Sequence, residues 1–445
     1  MTGRAIVVRG DARALPLPDE SVDLIVTSPP YYALRAYTDG GEHYQGQIGS
    51  EATPAEYIAN LLDCTREWVR VLKPTGSLFV NLGDKYSGVQ AQHGGKHFRT
   101  DTDAVWQQTD PRRTGIPNKS LMGLPWRYAL ACIDQLGLIL RAEIVWSKPN
   151  GLPESATDRV RRSHEQWFHL TRQPRYYSAV DEIREPASDY SRPNGVGRRP
   201  RGGQRPRLML DTCNPLGRLP SSVWEIPSEP LRVPEHLGVD HFAAFPIEWP
   251  RRIITGWSPP GICVECGEGR RPVVRESHLT AEGRRLAAKR GPASVAYSAA
   301  VQTGAPGASS GQRRALSGTE LRKHLVPATI TGYACSCPEP TAPTRPALVV
   351  DPFGGTGTTA LVAATLGRIG ITVDRSADYC RLAQWRTTDP GERARAMRVP
   401  KPPRKLDGQP PLFGDWAYDR VELGPQPDDA DVDGYPLGRA ARGGA

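Results

Sequence analysis

The sequence has no apolar run long enough to cross a bilayer and no charged-then-apolar leader at its amino end. Those absences argue against a helical membrane span and a secretory signal, so the chain is expected to be soluble, cytoplasmic and without a membrane partner. The glycine cluster Gly354-Gly355-Thr356-Gly357 is not followed by Lys and Ser or Thr, which rules out a Walker-type phosphate loop. No segment repeats at a fixed period, so solenoids and propellers are excluded. Acid is also scarce. There are 48 Asp and Glu against 57 Lys and Arg, a formal net charge of +9, and a surplus of that sign favours a polyanionic partner. The imbalance is concentrated between Asp158 and Leu208, where arginines heavily outnumber acids. That stretch reads either as a solvated basic face or as a phosphate-contacting one.

At 445 residues the chain has room for one large domain with insertions. Its most informative stretch is Thr27-Ser28-Pro29-Pro30-Tyr31-Tyr32. The apolar run Val22-Asp23-Leu24-Ile25-Val26 precedes it, with the length and branching of a buried strand. A polar-proline-aromatic turn therefore stands at a strand end, where open α/β sheets place their ligands. Pro29 and Pro30 fix the backbone and remove two N–H donors, leaving carbonyls free to accept. Ser28 adds a hydroxyl acceptor, and Tyr31 offers a flat ring for stacking. Such a turn suits the grip of an exocyclic amino group on an extruded base. A lone Pro-Pro-Tyr is more often a packed proline turn.

The second signal is Leu348-Val349-Val350-Asp351-Pro352-Phe353 running into the glycine cluster and Thr358-Thr359. The glycines let a ligand approach the backbone beside a helix N-terminus. The strand at residues 368–374 ends in Asp374, placed as an acid that hydrogen-bonds a ribose diol would be. The plain alternative is a glycine turn between a strand and a helix.

Together the two signals resemble the amino-group DNA methyltransferases, which make N4-methylcytosine or N6-methyladenine. In that family Asp-Pro-Phe-x-Gly-x-Gly-Thr-Thr is the S-adenosylmethionine loop and [Ser/Asp/Asn]-Pro-Pro-[Tyr/Phe] is the catalytic turn. Here the turn precedes the loop, the order of the family's permuted beta group. The resemblance implies an α/β fold: a circularly permuted, Rossmann-like, S-adenosylmethionine-dependent methyltransferase sheet. It implies catalytic roles for Ser28, Pro29, Pro30 and Tyr31. It implies cofactor contacts from Asp11 to the adenine and Asp374 to the ribose. Phe353, Asp351, Gly355, Gly357 and Thr358 would serve the methionine side, closed over by Phe245 and Pro246. Residues 70–80 resemble the helix-turn-strand that follows the catalytic turn. The partner implied is double-stranded DNA, in the nucleoid of a bacterial or phage-infected cell. Whether the chain acts as a homodimer, or beside a restriction enzyme, is left open by the sequence.

The cysteines form two sets. Cys64, Cys132, Cys213 and Cys380 are scattered and read as buried or incidental thiols. Cys263-Val264-Glu265-Cys266-Gly267 and Cys335-Ser336-Cys337 are two close pairs, enough for one tetrahedral zinc ion. Nothing thioredoxin-like surrounds the CxxC, so a redox pair is disfavoured. Reduced, unliganded thiols are the alternative.

The expected organisation is a catalytic half at 1–182, a target-recognition insertion at 183–235 and a cofactor-closing segment at 236–257. An insertion with the zinc site follows at 258–347, then a cofactor-binding half at 348–392 and a disordered tail at 393–445. Strands are expected near 5–8, 22–26, 77–82, 138–146 and 167–171, and helices near 54–72 and 121–136. Residues 88–118 read as a mobile loop and 282–320 as flexible low-complexity sequence. Three functions remain in play: a DNA amino-methyltransferase, a methyltransferase of RNA or a protein amide, and a silent zinc-bearing DNA-binding protein. The basic stretch and the motif order favour the first. No Pro-Cys dipeptide occurs, and carbon-5 cytosine enzymes carry their nucleophile in one. Ser28, where many adenine enzymes of the family have Asp, favours N4 of cytosine, with N6 of adenine as the alternative.

Overall fold

A computed structural model describes residues 3–34, 38–39, 42–43, 46–88, 109–151, 153–186, 214, 216–238, 245–275, 278–288, 324–337 and 342–402. Eight strands make one sheet: β1 (Arg4–Arg9), β2 (Val22–Thr27), β3 (Leu72–Leu82), β4 (Ile139–Ser147), β5 (His164–Thr171), β6 (Val223–Glu225), β7 (Leu348–Asp351) and β8 (Ile369–Asp374). Their spatial order is β1-β8-β7-β2-β3-β5-β4-β6. All neighbours are parallel except β5, which runs antiparallel to both β3 and β4. Residues 88–118 and 282–320, expected as loops, lie largely outside the described residues, as does most of the tail.

Strand β2 is buried at all six positions, as expected of a central strand covered on both faces. Its alternate residues feed two cores, Ile25 on one face and Leu24 with Val26 on the other. The one charge in it, Asp23, is fully used. One oxygen accepts from Lys73 Nζ at 2.5 Å and the other from the Leu348 N–H at 2.9 Å. That carboxylate ties the start of β2 to both neighbouring strands and offsets the cost of burying it.

Helix α1 (Pro54–Val71) starts with Pro54 in its first turn and a reciprocal Thr53–Glu56 capping box. It packs with α2 (Leu124–Leu136) on the first face through Tyr57, Leu61, Trp68 and Tyr128. On the second face lie α3 (Glu248–Trp257) and α4 (Thr358–Thr365). Helix α5 (Ala377–Thr388) and α6 (Pro390–Met397) follow β8. No helix among the described residues is long and apolar enough to cross a membrane.

Two expected boundaries shift. The sequence places the tail from residue 393, but α6 runs through that boundary to Met397, capped by Asp389 and paired through Glu392 to Arg386. The stretch 183–235 is not wholly an insertion, because β6 within it completes the sheet edge on β4. Its anchor is Trp224, which stacks at 4.9 Å on Trp249 of α3. Trp249 also stacks at 4.9 Å on Trp167 of β5, so one indole joins the far half of the sheet to α3. Trp249→Ala should cost about 3–5 kcal/mol of stability, measured by denaturant unfolding. A loss near zero would mean that this indole does not hold the two layers together.

Candidate active site

The glycine loop leaves β7 and the proline turn leaves β2, and these two strands are neighbours. Val349 pairs with Leu24 and Val350 with Ile25. Both loops therefore emerge side by side from the carboxyl end of the sheet, where such sheets bind ligands. Two cavities meet there. The smaller is bounded by Asp11, Pro30, Ile48, Phe353, Gly355 and Asp374. The wider cleft is lined by Ser28, Tyr31, Asn81, Lys148, Glu165 and Phe245. Ser28, Phe353 and Gly355 belong to both, so what occupies one cavity meets what occupies the other at those residues.

Close packing under the glycine loop decides its sequence. A Cβ on Gly354 would fall 1.5 Å from Thr372 Oγ1, whereas one on Gly355 would meet no protein atom within 4 Å. Gly354 is pressed against β8, and Gly355, at φ +48°, borders open space. Asp374 accepts from the Gly355 N–H and the Ser376 N–H, each at 2.9 Å. That arrangement orients its oxygens at the tip of β8. Asp11 is held by Arg13, which donates at 2.8 Å and keeps the carboxyl below its ordinary range.

Three expected contact residues sit behind the cavities instead. Asp351 is 1% exposed and accepts from the Phe353 N–H and from Thr359 Oγ1. Burial pushes its carboxyl up to about 7. It shapes the turn rather than lining a wall. Gly357 caps α4, and a Cβ there would lie 3.0 Å from that of Ala383. Pro246 is buried and accepts from the Trp249 N–H at the start of α3. Phe245 lines the wider cleft, edge-on to Trp167. Thr358 also reaches that cleft, and its hydroxyl accepts from Arg386 at 2.6 Å.

The proline turn is backed by a hydrogen-bonded set that the sequence reading missed. The Tyr31 hydroxyl lies 2.8 Å from Asn81 Oδ1 and 2.7 Å from Glu165 Oε2. Ser28 Oγ donates to the same Asn81 Oδ1 at 3.3 Å. Lys148 pairs with the other Glu165 oxygen and lies 4.1 Å above the Trp146 ring. Burial, then the Glu165 carboxylate, hold the Tyr31 phenol well above its ordinary value, so it keeps its proton. Its ring abuts Gly83, where a Cβ would come 2.6 Å from Tyr31 Cε2. The Pro30 carbonyl accepts from Tyr57 of α1 at 2.9 Å. The missed signal was Asn81 itself, a polar residue inside the apolar run Leu78-Phe79-Val80-Asn81-Leu82.

Away from this centre, the four paired cysteines come together. Cys263 leaves a short strand, Ile262–Cys263, paired antiparallel with Thr344–Arg345. Cys335 and Cys337 follow the strand Thr329–Ala334, which pairs with Arg271–Arg275. All four sulfurs lie within 4.8 Å of one another, and those of Cys263 and Cys337 are 3.7 Å apart. Sulfurs about 2.3 Å from a tetrahedral zinc ion stand roughly 3.8 Å from each other, so the donor set fits that metal. N–H groups of Cys266 and Glu265 directed at the Cys263 sulfur bring its thiol down to about 6.

Comparison with known proteins identifies the family. The family model for N6/N4 methyltransferases, described as DNA methylase, matches residues 22–264 and 342–385. The match breaks across the stretch that carries most of the cysteine module. The Type II methyltransferase M.SmaI of Serratia marcescens is 36% identical over 261 residues, 57% of this chain and 76% of that protein. M.Cfr9I of Citrobacter freundii is 34% identical over 259 residues, 58% and 74% of the two chains. A solved PvuII DNA methyltransferase, titled cytosine-N4-specific, aligns over 90% of this chain and 95% of its own, at 16% identity and a TM-score of 0.46. The chain belongs to the N6/N4 DNA methylase family.

Proposed function

We propose that this protein transfers a methyl group from S-adenosylmethionine to the exocyclic amino group of a base extruded from double-stranded DNA, N4 of cytosine being favoured. The observation that carries this is the shared edge of the two cavities at Ser28, Phe353 and Gly355. S-adenosylmethionine, when bound, supplies an electrophilic methyl group. Asp374 would accept from its ribose, Asp11 would face its adenine, and Phe353 with Gly355 would line its methionine end. The catalytic turn precedes the glycine loop in the chain, and by the family resemblance that motif order supports a circularly permuted methyltransferase sheet.

A paired base hides its amino group, so it must leave the stack to react. The wider cleft would receive it against the Tyr31 ring. The Ser28 hydroxyl and the Pro29 carbonyl would accept from the amino group and turn the nitrogen lone pair toward the smaller cavity. Rate enhancement would then come from positioning and preoriented acceptors. The basic stretch after Asp158 supports DNA as the polyanion, through phosphate contacts. The cysteine cluster would hold a structural zinc that joins the two ends of its insertion, remote from the reacting atoms.

Ser28→Ala and Tyr31→Ala should each lower kcat by about 100-fold while cofactor affinity stays near wild type. Asp374→Ala should weaken cofactor binding first. Labelled-methyl transfer and cofactor titration separate the two, and wild-type turnover in Tyr31→Ala would sink the catalytic assignment. For the metal, elemental analysis should find stoichiometric zinc, lost in Cys337→Ser together with thermal stability. Purified protein without zinc would remove that idea. For the base, nucleoside mass spectrometry of DNA from expressing cells should show N4-methylcytosine. The neutral Ser28 hydroxyl favours that outcome, but adenine offers an equivalent amino group, and N6-methyladenine alone would make adenine the substrate.

A further inference from the structure

Counting protons behind the catalytic turn leads beyond the roles given above. The Asn81 amide nitrogen donates to the Gln166 carbonyl at 3.1 Å, which turns its oxygen toward the turn as an acceptor. Two hydroxyls, those of Tyr31 and Ser28, point at that oxygen. Tyr31 has one proton, and Asn81 Oδ1 and the Glu165 carboxylate are both acceptors in its reach. Lys148 sits on the other Glu165 oxygen and is itself placed over the Trp146 ring. A bond to a carboxylate oxygen is about twice as strong as one to a neutral amide. The Tyr31 proton therefore goes to Glu165. Asn81 Oδ1 is left for the Ser28 hydroxyl, whose contact of 3.3 Å would lose against a competing shorter one.

We infer that the Lys148–Glu165 ion pair acts as a positioning device, setting the direction of this hydrogen-bond chain so that Ser28 faces the target amino group as an acceptor. With its proton turned inward on Asn81, the Ser28 oxygen presents only lone pairs to the cleft. It then accepts an amino hydrogen and leaves the nitrogen lone pair free to attack. With the chain reversed, Tyr31 would donate to Asn81, and the Ser28 proton would turn outward onto that same lone pair. Neither Glu165 nor Lys148 needs to touch the reacting atoms. The inference rests on Ser28 accepting from the target, as proposed above.

Glu165→Gln tests it. The amide oxygen would stay on Lys148 and the amide N–H would face Tyr31, sending the phenol proton to Asn81. The expected result is a loss in kcat of about tenfold or more, with KM for DNA, cofactor affinity and melting temperature near wild type. Lys148→Met should move kcat in the same direction. In a Tyr31→Phe background no phenol proton exists to redirect, so adding Glu165→Gln should change the remaining kcat by less than about twofold. Equal losses with and without the phenol hydroxyl, or an unchanged kcat in Glu165→Gln alone, would overturn the inference. If Ser28→Ala keeps full turnover, the acceptor role of Ser28 itself is wrong. If Ser28→Ala is inactive and Glu165→Gln is not, only the positioning role falls.

Discussion

The rest of the molecule depends on the parallel pairing of β7 with β2. Two registered pairs, Val349 with Leu24 and Val350 with Ile25, bring together chain segments 325 residues apart, as counted between Leu348 and Asp23. The proline turn and the glycine loop both begin within a few residues of that seam. The proline turn ends one strand and the glycine loop ends the other, so their separation is set by the spacing between strands, about 4.8 Å. Asp23 is the price of holding the seam in register: a carboxylate buried within a central strand and satisfied from both sides.

Behind the seam the loops are held by buried polar groups. Arg386, 2% exposed, donates to Thr356 and Thr358 and pairs with Glu392. Asp351 holds the turn from below. Asn81 holds the proline turn from β3. Each is buried with its partners in place, which fixes geometry that an apolar core would leave looser. The active site is thus a layer of backbone and small side chains over a layer of satisfied polar ones, and rigidity in the second layer keeps the acceptors of the first preoriented.

The sequence showed the first layer and hid the second. Runs such as Val22–Val26 and the Asp-Pro-Phe-Gly-Gly loop are local patterns, and the structure places Ser28, Tyr31, Phe353, Gly355 and Asp374 on cavity walls. Glu165 and Lys148 carry no local signature. They pair with each other, and Tyr31 comes from the turn after β2; the antiparallel pairing of β5 with β3 places Glu165 beside it. Asp351, Gly357 and Pro246 lie off both cavity walls, since a motif shows that residues travel together but not which of them line a cavity. Strand β6 and helix α3 were not picked out because their stabilising contact is the Trp224–Trp249–Trp167 stack, which joins three distant segments.

The cysteine module leaves and rejoins the domain at adjoining residues, Cys263 opposite Thr344 and Ile262 opposite Arg345. From the viewpoint of the catalytic sheet, the intervening stretch begins and ends at one point, as a tight turn would. The entropy of closing such a loop grows only logarithmically, roughly 0.6 kcal/mol for each doubling of length. Its length is therefore a weak term in the stability of the sheet, and residues can be added within it at little cost to the reaction centre.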